Sequence, residues 1–322
     1  MFGKAAILVA ALAALATLGA APPKLADQRR AAASKDIAGA CQGRDGWSDP
    51  APPAHVHGRT WYVGTCGITA LLIETGAGLV LIDTGPADAA PHVLANVRAL
   101  GFDPRTIKWV LMTHEHFDHV GGMAHLLKQT GARLLTGASA AAVMRSGYHG
   151  KAPDELESTD AQTGSGQPAA DDPQASWLAK EPMEPVTVSR VLGHRQSLRV
   201  GGTRFTMHAN PTHSPGSTSW TWRSCEGAAC LTIAYADSNS TISTDDYHFS
   251  KHPERVDAAR AGLRVIEALP FDRLLTPHPG QSAVLERLSG TEPLLEPRAC
   301  AAYSARGSMR LADRLAKEAG AQ

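Results

Sequence analysis

Met112-Thr113-His114-Glu115-His116-Phe117-Asp118-His119-Val120-Gly121-Gly122 is the stretch on which the reading of this chain turns. Its core presents His114, His116, Asp118 and His119, imidazoles and a carboxylate, the borderline donors that Zn²⁺ prefers. A lone histidine is more often packed or solvated than ligating. Ligand-type residues this dense, between an apolar run and a Gly-Gly pair, point instead to a metal-binding loop. His114-Glu115 begins like the His-Glu-x-x-His helix of zinc peptidases, but that motif needs a second histidine where this chain has Asp118. Glu115 is therefore expected to be solvated, or to brace a ligand from behind, rather than to act as a general base.

The rest of the composition leaves a metal as the local source of charge. The chain has 322 residues, 43% hydrophobic, with 31 basic and 31 acidic side chains. That is enough for a full globular core. Zero formal charge gives no electrostatic case for nucleic acid or an anionic membrane as partner. The expected partner is a small-molecule substrate, and the chain is expected to be a monomer. Serine chemistry lacks its signatures, since neither Ser-x-x-Lys nor Gly-x-Ser-x-Gly occurs.

Lys4, the apolar run Ala5 to Leu18 and the small residues Gly19, Ala20 and Ala21 read as a secretory leader, too short to span a membrane comfortably. Cleavage near Ala21 would leave residues 22–322 as one domain, exported to the periplasm. Export turns the five cysteines into a disulfide question. Cys225 and Cys230 flank Glu-Gly-Ala-Ala, a turn between strand-like runs, and a bond there would staple a hairpin. Cys41 and Cys66 could tie the N-terminal arm to the first sheet, leaving Cys300 odd in a C-terminal helix. Sequence leaves the connectivity open.

Strands are expected at 59–63, 68–74 and 78–83, separated by Gly-rich turns. Helical spacing follows at 89–100, a buried strand at 107–112 and an apolar helix at 120–128. A second half repeats the theme, with strands at 203–209, 217–223, 231–236 and 273–276, and helices at 254–269 and 299–319. Two β-rich halves with covering helices predict an α/β fold, an αββα sandwich of two mixed sheets packed together with helices on the outer faces. Loop ends from both halves would then meet at one edge. Residues 147–184 are polar and aperiodic, a long loop of the kind that is usually functional or disordered. Trp177, its large apolar residue, is expected to pack onto the body, with cover for the site as the alternative.

Two more histidines sit in stiff, proline-flanked loops: His213 in Pro-Thr-His-Ser-Pro-Gly and His278 in Thr-Pro-His-Pro-Gly. With the cluster they make a donor set suited to two metals with three protein ligands each and open positions for water, the pattern of catalytic rather than structural zinc. A bound Zn²⁺ lowers the pKa of water from ~15.7 to about 7, which provides a nucleophile at neutral pH.

These residues resemble the metallo-β-lactamase superfamily: His-x-His-x-Asp-His after a buried strand, with Leu81-Ile82-Asp83-Thr84-Gly85 upstream, a likeness running from about residue 57 to 285. Finer features are similar to the third subclass of class B β-lactamases. They are Tyr62-Val63-Gly64-Thr65, Thr212-His213-Ser214-Pro215-Gly216-Ser217-Thr218 and Ala236-Asp237-Ser238-Asn239-Ser240, where Ser238 stands in place of the cysteine ligand of the first subclass. The resemblance implies one zinc on His114, His116 and His213 and a second on Asp118, His119 and His278. A hydroxide held there would attack the β-lactam carbonyl of penicillins, cephalosporins and carbapenems, conferring antibiotic resistance. Ser238 and Ser240 would bind water or the substrate carboxylate, Asp118 would orient the hydroxide, and Asp83 would brace the ligand loop. Some members pair the C-terminal cysteine with one just before Thr-Pro-His; here that neighbourhood is Leu269-Pro270-Phe271-Asp272, so Cys300 is expected to lack a partner.

The fold does not fix the substrate. A glyoxalase-type thioesterase or a lactonase would bridge its metals with a carboxylate from this region, and Asp237 adjoins Ser238. Asp237 pointing between the metals would favour those enzymes. A non-catalytic zinc-buffering protein would instead show closed coordination.

Overall fold

The computed structural model describes residues 25–147, 183–243 and 247–320. The expected leader at 1–21, most of the 147–184 loop and Trp177 lie outside the described residues. After two short helices in the N-terminal arm, α1 (Leu25–Ala32) and α2 (Ile37–Ala40), the meander forms as β1 (Ala54–His57), β2 (Thr60–Tyr62), β3 (Leu71–Glu74) and β4 (Leu79–Ile82), each pair antiparallel. Helix α3 (Ala90–Ala99) then crosses over, and β5 (Ile107–Leu111), β6 (Arg133–Thr136) and β7 (Val188–Val191) add in parallel, completing a seven-stranded sheet in chain order. Helices α4 (Phe117–Val120), α5 (Met123–Thr130) and α6 (Ala138–Ser146) belong to this half.

The second sheet holds β8 (Ser197–Val200), β9 (Thr203–Ala209), β10 (Thr218–Glu226), β11 (Ala229–Tyr235) and β12 (Arg273–Leu275) in the order β12-β11-β10-β9-β8. Only the β11–β12 pair is parallel. Its helices are α7 (Pro253–Glu267), α8 (Val284–Ser289) and α9 (Ala299–Gly320). No helix among the described residues is long and apolar enough to cross a membrane.

Period-two alternation explains why the central strands are apolar throughout. In β4, Val80 and Ile82 face the second sheet, while Leu79 and Leu81 face the helices, and all four are buried. A strand covered on both faces has no solvent side on which to place polar residues. Between the sheets, Leu71, Ile73 and Leu111 meet Phe205, Trp220, Trp222 and Tyr235. Outside the first sheet, Val93 and Val97 of α3 and Leu126 of α5 cover Leu81 and Val110. Outside the second, Ile266 of α7 and Tyr303 of α9 cover Ala234 and Leu274. The layers run α–β–β–α, as the pattern of elements predicts.

Several elements depart from the sequence expectation. The helix expected at 120–128 is two helices, because Gly122 N bonds to Gly85 O at 3.0 Å where a continuous helix would bond four residues back. Asp118 and His119 consequently lie in the first turn of α4 rather than in a loop. β1, β6, β7 and β8, helix α6 and helix α8 were not expected at all. Each of these four strands has only four residues.

Both cysteine pairs are bonded, Cys41 to Cys66 and Cys225 to Cys230, and Cys300 is free and buried. The second pair faces itself across the β10–β11 hairpin, Cys225 opposite Cys230 in the register. Burial pushes the Cys300 thiol up to about 12, so it stays protonated.

Candidate metal centre

The ligand-type residues converge where strands of both sheets end. The 112–119 segment leaves β5, the 210–217 turn joins β9 to β10, residues 236–240 follow β11, and 276–281 follow β12. Cross-bonds fix these segments to one another: Thr218 N donates to Thr113 O at 2.8 Å, Trp220 Nε1 to Met112 O at 2.8 Å, and Thr69 N to Pro277 O at 2.7 Å. A site spread over four segments is therefore held by the main chain of both sheets.

The imidazoles of His114, His116 and His213 pack with ring centroids 4.4 to 4.7 Å apart. One donor atom from each lies within 4.8 Å of the others, and the same holds for His114, Asp118 and His119. His278 stands at the rim, its ring 5.0 Å from His119 and its Nε2 3.3 Å from Asp118 Oδ2, with 31% of its side chain exposed. It does not complete a tight group with Asp118 and His119; His114 does.

Hydrogen bonds at Nδ1 orient two of these rings and select their tautomer. His114 Nδ1 donates to Asp237 Oδ1 at 2.8 Å, and His213 Nδ1 to Ser240 O at 2.8 Å. A neutral imidazole that donates from Nδ1 offers the Nε2 lone pair to a metal. His114 Nε2 is buried and has no hydrogen-bond partner, which fits a metal ligand and little else. Burial, then the neighbouring His119 and His213, hold the His114 imidazolium well below its usual range. Burial and His116 bring His213 down to about 3. Both are neutral at pH 7, the form that ligates.

The carboxylates divide into roles. Burial pushes the Asp118 acid upward, but His119, then His278 and His114, outweigh it and hold it well below the usual range. Asp118 is thus ionised on the buried wall of the cleft. For His119, burial acts downward, and the carboxylates of Asp118, Asp83 and Asp237 reverse it, leaving a net rise. Asp83 accepts from Thr113 N at 2.8 Å, Thr113 Oγ1 at 2.9 Å and Tyr235 Oη at 2.9 Å, and lies 3.8 Å from His119 Nδ1. Its backbone is left-handed, φ 62°, a conformation that strains a non-glycine residue by about 1 kcal/mol or more. Burial lifts its acid to about 6.

Asp237 stands behind His114 and belongs to neither donor group. Glu115 is not solvated; it is buried, and its carboxylate faces the 214–216 turn. Ser238 and Ser240 line a cleft of about 490 Å³ together with His116, Asp118, His213 and His278. The N-terminal arm supplies one wall of that cleft. Trp47, 41% exposed, has its ring 6.4 Å from His278, and its carbonyl accepts from Thr65 Oγ1 at 2.7 Å. Cys66 N donates to Asp49 O at 2.8 Å beside the Cys41–Cys66 bond. Trp47, Gln281 and Tyr303 line the cleft without having been expected from sequence; no local motif marks them.

Residues 63–228 match the family described as the metallo-beta-lactamase superfamily. Among solved structures, metallo-β-lactamase MIM-1 from Novosphingobium pentaromativorans is 50% identical, with a TM-score of 0.81, over 89% of this chain and 99% of that one. SMB-1, crystallised with mercaptoacetic acid, is 33% identical, with a TM-score of 0.74, over 85% and 99%. MEM-A1, a subclass B3 metallo-β-lactamase from a soil metagenome library, is 30% identical, with a TM-score of 0.73, over 86% and 100%. Curated relatives match over short stretches: a hydroxyacylglutathione hydrolase of Ectopseudomonas mendocina is 55% identical over 49 residues, 15% of this chain and 18% of that protein. The curated relatives reported alongside it are likewise matched over less than a third of their own length. The chain belongs to the metallo-β-lactamase superfamily. Within it, the chain groups with the subclass B3 structures, which it matches over nearly their whole length.

Proposed function

We propose that this chain is an exported zinc hydrolase that opens the β-lactam amide of penicillins, cephalosporins and carbapenems, and so confers resistance on its host. In this reading His114, His116 and His213 hold one Zn²⁺, and Asp118, His119 and His278 a second. The observation that carries the choice of substrate is the position of Asp237. Oδ1 of its carboxylate is engaged with His114 Nδ1 at 2.8 Å and Asp237 belongs to neither donor group, which disfavours the bridge expected of a thioesterase or lactonase, while Ser238 and Ser240 line the cleft.

When bound, Zn²⁺ supplies a Lewis acid and a water acidified to pKa of about 7. The protein side chains do the rest. Asp118, ionised and at the cleft surface, accepts a hydrogen bond from the attacking water at a carboxylate oxygen and so aims it at the carbonyl carbon. Water adds to that carbon, the C–N bond breaks, and the ring nitrogen takes up a proton. Among the described residues that line the cleft none is Lys or Arg, so the substrate carboxylate falls to the hydroxyls of Ser238 and Ser240 and the amide of Gln281. Trp47 and Ile242 offer an apolar wall to the substrate side chain. The two disulfides support export, since such bonds persist in oxidising compartments.

The test is loss of ring absorbance on mixing purified protein with a penicillin, a cephalosporin and a carbapenem. Turnover that a chelator abolishes and added zinc restores supports the reading. Intact drug in every case would overturn it.

A further inference from the structure

Glu115 lies between two of the proposed ligands yet takes no part in the cleft. Its side chain is buried, and both carboxylate oxygens are spent on the turn that carries His213: Oε2 accepts from Ser214 Oγ at 2.9 Å and Oε1 from Gly216 N at 3.0 Å. That turn is closed within itself as well, Ser214 N donating to Ser217 Oγ at 2.9 Å. The approach is close enough that a Cβ at position 216 would stand 2.2 Å from Oε2 and 2.7 Å from Ala140 Cβ, so a larger residue there would displace the Glu115 carboxylate or its neighbour. Burying a carboxylate is costly unless hydrogen bonds replace its water. Here both oxygens have such bonds, and they run from the 114–119 segment of one sheet to the 212–216 turn of the other.

We propose that Glu115 is a positioning residue: its carboxylate straps the His213 turn to the His114–His116 segment and sets the distance at which the three imidazoles meet. His213 directly precedes Ser214, and Glu115 is bonded in sequence to both His114 and His116, so a short rigid path joins all three rings. On its far side His213 Nδ1 meets Ser240 O at 2.8 Å and Ser240 Oγ at 3.1 Å. The backbone of its turn is also tied to Arg255 and, through Thr218, to Thr113, and Glu115 adds a side-chain link from that turn to the residue between His114 and His116. The metal group that includes His213 depends on the strap; the group of Asp118, His119 and His278 does not. This inference rests on the metal-binding reading above.

The experiment is titration of the metal-free protein with Zn²⁺ in competition with a chromophoric chelator, in an Asp118→Ala, His278→Ala background that leaves His114–His116–His213 as the intact group. Glu115→Ala should weaken zinc there by about tenfold or more, the usual scale for groups that orient a ligand. Glu115→Gln should stay within about threefold of the parent, because its amide oxygen accepts from Gly216 N and its amide nitrogen donates to Ser214 Oγ. In a His213→Ala background, Glu115→Ala should shift zinc binding by less than about twofold. A Gln variant as weak as the Ala variant would mean that the charge matters and not the strap, and would overturn the proposal. So would a lowered melting temperature with unchanged zinc affinity. Should Glu115→Ala fail to fold, Ser214→Ala removes one of the two bonds and should weaken zinc about threefold; no change would overturn the strap. A parent protein that takes up no zinc overturns the metal reading itself, and the inference with it.

Discussion

Asp118 and Asp237 are both buried carboxylates beside histidines, and their surroundings give them different work. Asp118 is held ionised by His119, His278 and His114 and faces the cleft, whereas burial raises the Asp237 acid and its Oδ1 is committed to His114. Asp118→Asn should therefore lower turnover of a β-lactam by about 10²-fold or more while circular dichroism stays native; near-normal rates would remove Asp118 from the site. Asp237→Ala should weaken zinc binding by about 10–100-fold through the freed His114 ring, and unchanged binding would show that the hydrogen bond carries nothing. At this scale the sequence was legible where ligands adjoin, as in His114 to His119, or sit in proline-stiffened loops, as with His213 and His278. It was not legible for Asp237 or Glu115, because which way each side chain turns is decided by strand ends that meet only in the folded protein. Trp47 was missed for the same reason: the arm that carries it reaches the cleft through contacts with Thr65 and Cys66, far along the chain.

Helix α9 is the element that joins the functional loops from outside. Arg310 donates to Asn239 Oδ1 at 3.0 Å and to Gln281 Oε1 at 3.3 Å, Arg306 to Gln281 O at 3.0 Å, and Asn239 Nδ2 to Tyr303 O at 2.5 Å. Gly307 permits this approach, since a Cβ there would stand 2.4 Å from Asn239 O. The serine loop and the His278 loop thus share one support. Arg310→Met should raise KM for a β-lactam about threefold to tenfold with a smaller change in kcat, and equal effects on both would place Arg310 outside substrate positioning. The disulfides act on other elements. Closing the short hairpin loop of Cys225–Cys230 stabilises by about 2 kcal/mol and the longer Cys41–Cys66 loop by about 3–4 kcal/mol on chain-entropy grounds. Cys41→Ser with Cys66→Ser should accordingly lower the melting temperature more than Cys225→Ser with Cys230→Ser, and it alone should raise KM, because it frees the Trp47 arm; the reverse order would contradict this account. Long periodic elements such as β9 and α9 were readable from sequence to within a residue or two. The unexpected β6, β7 and β8 are four-residue strands, too short to carry a clear period of their own, β8 alternating in burial at a sheet edge.

Across the whole molecule, the fold is a four-layer frame that delivers loop ends from two sheets to one edge, and its C-terminal helix is locked by a charge. Glu318 accepts from Phe249 N at 3.2 Å, Ser250 N at 2.7 Å and Arg314 Nε at 2.5 Å. Burial would raise its acid, but these bonds outweigh it and bring it down to about 2. A depressed carboxylate pKa adds stability that is present above the unfolded value of ~4.3 and is lost as pH falls toward the folded value. Glu318→Gln should therefore melt lower than the parent at pH 7, and the gap should close between about pH 4.3 and 2; a gap independent of pH would show that the charge is not what locks α9. The αββα arrangement itself was legible from the order of strands and helices, because central strands apolar at every position need cover on both faces, as Leu79 to Ile82 show.

The central claim, that the edge of this frame is a two-zinc β-lactam hydrolase rather than a thioesterase, meets its most direct test in one comparison. The zinc-loaded protein is given a carbapenem and a hydroxyacylglutathione thioester under identical conditions, and kcat/KM is measured for each. The account predicts efficient ring opening of the carbapenem, abolished by a chelator, with thioester turnover at least 10²-fold weaker. Rapid thioester hydrolysis alongside intact carbapenem would contradict it.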